Sequence, residues 1–148
     1  MPSSAPSRKD TREALAALLD TAFDSSWDVF NFKTKKFSDK AKNIVVTSAG
    51  SGRDISGSQG VTPDSTFRFR VFVFILYQSA VESWTDHNSD DALDAAEKTI
   101  TDVCADNQIN ALWGRLRQEG FSDPDMIVDE GGQTFRREII NIVTQKLS

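Results

Sequence analysis

The sequence predicts an α+β domain, with a mostly antiparallel sheet packed against helices, a long Gly/Ser-rich loop and a C-terminal β-hairpin. Three observations carry that reading. Residues 67–79, FRFRVFVFILYQS, alternate along an extended chain, with Phe67, Phe69, Val71, Val73, Ile75 and Tyr77 on one face and Arg68, Arg70, Phe72, Phe74 and Leu76 on the other. Two other stretches repeat their apolar residues at helical spacing. Near the C-terminus, two apolar runs flank Glu130-Gly131-Gly132-Gln133, and paired glycines between strands signal a hairpin.

In chain order, residues 1–7 are rich in Ser and Pro and read as a flexible tail. Ser7 or Asp10 can cap a first helix over 8–24, whose stripe is Leu15, Leu18, Leu19, Ala22 and Phe23. Trp27, Phe30 and Phe32 then read as a loop pinned to the core. Lys33, Lys35, Lys36, Lys40 and Lys42 form the most basic part of the chain, opposed only by Asp39. Residues 43–49, NIVVTSA, predict a short strand. A Gly, Ser, Asp and Pro-rich loop over 48–65 follows it.

The strand at 67–79 is the centre of the sheet, half-buried at its start and buried on both faces further on. Its β-branched and aromatic content suits a strand, and it is too short to cross a bilayer as a helix, which takes about 20 apolar residues. A second helix is expected over 90–106, with Ser89 as N-cap, Asp90 and Asp91 at the positive end of its dipole, and Leu93, Ala96, Ile100, Val103 and Cys104 buried. Residues 110–119 fit either a short helix or an irregular strand, anchored by Trp113 and Leu116. Strands at 125–129 and 134–145 close the chain. The expected core is Val71, Val73, Phe74, Ile75, Leu76, Ile100, Val103, Ile140 and Ile142.

The 148 residues suit a single domain, 1–148, large enough to bury about 70% of its extended-chain surface. A net charge of -5 disfavours a general nucleic-acid binder without excluding a local basic patch. One cysteine, Cys104, cannot form an internal disulfide, and the N-terminus lacks the apolar core of a secretory signal, which together point to a reducing cytoplasm.

No constellation calls for catalytic, cofactor or metal chemistry. Gly50-Ser51-Gly52 lacks the Gly-Lys-Ser/Thr ending of a phosphate-binding loop. His87 beside Asp86, Asp90 and Asp91 has no second histidine or cysteine, and capping accounts for two of the acids. Asp123, Asp125, Asp129 and Glu130 lack the spacing of a calcium loop. The candidate functional surface is electrostatic instead: Lys33, Lys35, Lys36, Lys40 and Lys42 with Arg53 of the long loop, against Asp86, Asp90 and Asp91. Segregated charges of this kind fit a repeated interface in which the lysines of one copy meet an acidic surface of the next copy or of another assembly partner.

The order of elements, with the closing segment VDEGGQTFRREIINIVTQ, resembles the tail terminator, or tail-completion, proteins of long-tailed bacteriophages from about Arg12 to Lys146. The resemblance lies in arrangement and carries no catalytic residues. It implies a structural virion protein, not an enzyme, assembled in the host cytoplasm into a homohexameric ring that caps the tail tube and joins it to the neck or head. Its implied partners are further copies of itself, the tail tube protein and a neck or head-tail connector protein, with no membrane and no specific nucleic acid. Three other readings stay open: another neck adaptor; a small ligand-binding domain or isomerase-like enzyme with a pocket lined by Trp27, Trp84 and Trp113; and a single-stranded nucleic-acid binder using the lysines with Phe30 or Phe32.

Overall fold

A computed structural model of the chain describes residues 5–32, 42–54, 64–78, 86–110, 112–128 and 134–146. The domain is α+β, with two helices and a mostly antiparallel six-stranded sheet. Helix α1 runs over Arg8–Ala22. Its cap is Ser7, whose hydroxyl accepts from the Asp10 amide at 3.1 Å. The helix ends in a turn where Asp24 accepts from the Ser26 amide, leading into β1, Trp27–Phe30. The aromatic run expected as a loop is therefore a strand. It pairs parallel with β2, Lys42–Asp54, a partner too distant in sequence for so short a segment to reveal.

β2 also corrects the expected loop at 48–65. Its residues continue the ladder to Asp54, and β3, Asp64–Gln78, begins opposite them at Asp64. Glycine and serine disfavour strands, but a long aromatic strand alongside supplies the hydrogen bonds and overrides local preference. A bulge between Ser48 and Gly50 absorbs the irregularity, with Gly50 at φ 154, where a side chain would be strained. Of the expected loop, residues 55–63 lie outside the described residues.

Helix α2 spans Asp86–Asp106 and starts four residues before the expected position. Ser89 is consequently a fully buried residue inside the helix and not its cap. The ambiguous segment at 110–119 resolves into a turn, in which the Asn110 side chain accepts from the amides of Leu112 and Trp113, and a strand β4, Arg115–Glu119. β5, Asp125–Val128, and β6, Thr134–Lys146, follow. They pair antiparallel from Val128↔Thr134 to Asp125↔Arg137, and the residues between them, 129–133, lie outside the described residues.

The strand order is β1-β2-β3-β6-β4, with β5 also on β6. β4 and β5 share one edge of β6: the β4 ladder stops at Glu119↔Asn141 and the β5 ladder starts at Asp125↔Arg137. Five residues, 120–124, thus stand opposite three, 138–140. β4 and β5 form one outer strand interrupted by a two-residue excess, and Gly120 at φ 72 makes the turn out of the ladder.

Both helices cover the same face of the sheet. α1 packs on β1 and β2, and α2 on β3, β4 and β6. Leu15, Leu19, Leu93, Ile100 and Trp113 meet Phe67, Phe69, Val71, Val73 and Ile75 in the main core. Every residue expected in the core is buried. The other face carries a smaller cluster of Val45, Phe74, Leu76 and Phe135, with Phe72 stacked on Phe74 at 5.9 Å between ring centroids. Registers place Arg68 and Arg70 further along that face, where both are exposed.

Candidate functional site

The charged residues expected at an interface are held in different ways. Lys33, Lys35, Lys36 and Lys40 lie outside the described residues. Lys42 opens β2 with its ammonium 5.6 Å from the Trp27 ring, a cation-π contact. Arg53, at the far end of the same strand, donates to the Ser65 hydroxyl at 3.1 Å, and its guanidinium lies 4.9 Å from the Phe67 ring. Asp86 begins α2, and its side chain is outside the described residues. Asp90 forms an ion pair with Arg136 of β6 at 2.5 Å, and Asp91 is exposed one residue on. Lys42 and Arg136 lie in one row across β2, β3 and β6, on either side of Ile75. The fold thus gathers Lys42 and Asp90 at one end of the sheet and sends Arg53 to the other.

The aromatic residues proposed for a pocket pack in the core instead. Trp113 is fully buried with its indole N–H donating to the Asn107 carbonyl at 2.7 Å, and Trp27 is buried at 8% exposure. Trp84 lies outside the described residues. An open cleft of about 300 Å3 lies between α1 and the end of β1, lined by Glu13, Ala16, Asp20, Val29, Phe30 and Phe32. Among the described residues its only ionisable groups are two carboxylates about two helical turns apart. Phe30 and Phe32 meet edge to face at 6.0 Å, and Phe32 is half exposed.

Among the described residues, no group of three or more His, Cys, Asp or Glu is placed to hold a metal ion. Burial pushes the Cys104 thiol up to about 11, so it stays protonated and chemically quiet. Among the described residues the most confined carboxyl is that of Glu138, 6% exposed on the helix-covered face. Desolvation raises its pKa; a hydrogen bond from the Ser122 hydroxyl at 2.9 Å opposes this, and Glu97, Asp94 and Asp123 add repulsion. Among the described residues no helix is long and apolar enough to cross a membrane.

Two surface features were missed in the sequence reading. The first is basic: Arg68 and Arg70 of β3 and Arg115 and Arg117 of β4 are all exposed on the face away from the helices. Alternation gave Arg68 and Arg70 to that face, whereas the two-residue spacing of Arg115 and Arg117 was hidden by the helix-or-strand ambiguity of β4. The second is apolar. Of the five large apolar side chains exposed among the described residues, Phe121 (99%), Met126 and Val128 fall within 121–128, along the outer strand. No protein-family model matches the chain, and no curated protein matches it.

Proposed function

We propose that this chain is a structural assembly protein, acting as a phage tail terminator does: a ring of copies, six in that family, capping the tail tube and joining it to the neck or head. The observation that supports this most is the outer β4–β5 strand. It pairs with β6 alone among the described residues, and it carries Phe121, Met126 and Val128 exposed along its length. Exposed apolar groups on an unpaired edge invite association, and a chain that keeps them fits one that uses them against a neighbour. The protein works on the virion after assembly in the host cytoplasm, without catalysis.

The test is the mass of the native protein in solution, alone and with a solubilised tail tube. A species near six times 16.4 kDa is expected. Phe121→Ser with Val128→Lys should shift it toward single chains while leaving the circular dichroism spectrum intact. A wild-type chain that remains a monomer alone and on the tube overturns the proposal.

A further inference from the structure

The two sides of the domain carry opposite charge, and the arrangement is built by the fold. On the open face, Arg117, Val143 and Arg68 form one row across β4, β6 and β3. Arg115 lies one row to one side, opposite Gln145, and Arg70 one row to the other, opposite Asn141. Strands are about 4.8 Å apart and same-face neighbours about 7 Å apart along a strand, so the four guanidinium stems rise from a patch roughly 10 Å across the strands and about 14 Å along them. Neighbouring arginines in it stand about one screening length apart at physiological salt, so they repel one another in the free protein. The acid paired with the group is Glu119, whose carboxylate is 3.6 Å from Arg68 in an exposed contact. Arg70, Arg115 and Arg117 have no ion-pair partner among the described residues.

The opposite side of the molecule is acidic. The helix α2 turns its buried stripe of Leu93, Ala96, Ile100 and Val103 to the sheet. Its outer surface then carries Asp91, Asp94, Asp102 and Asp106, all exposed, with Lys98 as the opposing cation, itself tied to Asp102 at 2.9 Å. The last turn of the helix holds no basic residue, although its dipole would favour one there.

We infer that the arginine face of the sheet is a docking surface for the acidic outer surface of α2 on a second copy of this chain. This docking surface rests on the assembly reading above and adds to it the faces that meet. Patch and counter-patch lie on opposite sides of one domain, so the contact is head-to-tail: each copy uses its sheet face on one neighbour and its helix on the other. Such contacts close into a ring when the rotation per copy permits and otherwise extend as a stack. A nucleic acid is the weaker occupant. The chain is acidic overall, and the side chains between the arginines are the buried Val143 and the amide of Asn141, not aromatic rings on which bases stack.

The experiment uses charge reversal in pairs. Arg70→Glu with Arg117→Glu reverses the sheet face and leaves the Arg68–Glu119 pair intact; Asp94→Lys with Asp106→Lys reverses the helix. Each double variant alone is expected to weaken self-association by about a hundredfold at low salt, with the gap narrowing as salt rises. Combining all four changes in one chain, or mixing the two double variants, should restore association. Should the glutamates unfold the sheet, Arg70→Gln with Arg117→Gln removes the charge more gently and should weaken association by about tenfold. Wild-type assembly unaffected by either arginine variant overturns the docking surface while leaving the assembly reading standing. Loss without rescue by the helix variants overturns the second copy as occupant, as does salt-sensitive binding of a labelled single-stranded oligonucleotide that the arginine variants abolish while assembly is unchanged. A wild-type chain that never associates overturns the assembly reading and this inference together.

Discussion

The two faces of the central strand β3 are made from the same fifteen residues and have opposite fates. Phe67, Phe69, Val71, Val73 and Ile75 are all buried under the helices, at 1% exposure or less. Their neighbours on the other face divide in two: Phe74 and Leu76 are buried with Val45 and Phe135, while Arg68 and Arg70 face outward. The covered face is uniform because two helices span it. The other face stays divided because its apolar cluster is local, leaving the remaining half of the sheet to polar groups. A strand of this kind holds the fold with one set of side chains and offers a surface with the other.

The sharpest test of that contrast compares adjacent residues. Phe69→Ala is expected to cost about 3 to 5 kcal/mol, since a fully buried ring leaves a cavity that the helix-capped sheet cannot collapse into. Arg70→Ala should fall within about 0.5 kcal/mol, as exposed substitutions away from special geometry do. Urea unfolding measures both. Similar costs for the pair would break the assignment of faces. Phe74→Ala comes next, at roughly 2 to 3 kcal/mol, toward the low end for a buried ring because its cluster is small and opens onto half-buried neighbours. A cost equal to that of Phe69→Ala would show that the second cluster is a full core, and the comparison would have to be redrawn.

How far the sequence foretold this depends on how local the cause was. β3 was legible because alternation, aromatic content and length agree within one segment; the five of its residues expected in the core are buried, and Phe67 and Phe69, not among them, are buried as well. Residues 48–54 were not: their glycines and serines read as a loop, and only the aromatic strand hydrogen-bonded alongside makes them extend. β1 was missed because four residues carry little periodicity and their parallel partner begins at Lys42, at the far end of the basic stretch. The arginine face was half legible. Arg68 and Arg70 follow from β3, whereas Arg115 and Arg117 needed the register of β4 on β6, set by residues nearly thirty positions later. The apolar outer strand had no signal in the sequence, since Phe121 and Val128 look like core residues until their exposure is seen.

Neighbouring residues of β6 set two carboxylates apart: Glu138 carries one, and Arg137 holds the other, that of Asp125. Glu138 points to the covered face, where burial and the acids Glu97, Asp94 and Asp123 raise its pKa. It therefore keeps its proton to higher pH in the folded protein than in the unfolded chain, and stability falls as pH rises from the ordinary glutamate value through the folded one. Glu138→Gln keeps the shape and an acceptor for Ser122 while removing the buried charge. A gain on the order of 1 kcal/mol at pH 7 is expected, shrinking to nothing below about pH 4, where the wild-type side chain is neutral in both states. A loss at pH 7 would mean that the carboxylate is better solvated than its exposure implies.

Asp125 shows the opposite sign on the open face and the smallest effect. Arg137 reaches it with two parallel hydrogen bonds, 2.9 Å from Nε to Oδ1 and 2.6 Å from an outer nitrogen to Oδ2, joining β5 to β6 at a paired position. That hydrogen bonding lowers the pKa of Asp125 and outweighs its slight desolvation, while Arg137 is raised by the same contact. The stabilisation is present above the unfolded aspartate pKa, about 3.9, and is lost as pH falls through the lower folded value. Solvent screens the pair, because the side chain of Asp125 is 48% exposed and that of Arg137 27%. The Asp125→Asn change should therefore cost no more than about 1 kcal/mol at pH 7, with a smaller cost in high salt. A double-mutant cycle with Arg137→Gln isolates the coupling from any effect on strand propensity. Coupling near zero at low salt would reduce the contact to a surface accident. Coupling well above 1 kcal/mol would mean that the open face is more enclosed around β5 than the half-exposed side chain of Asp125 indicates.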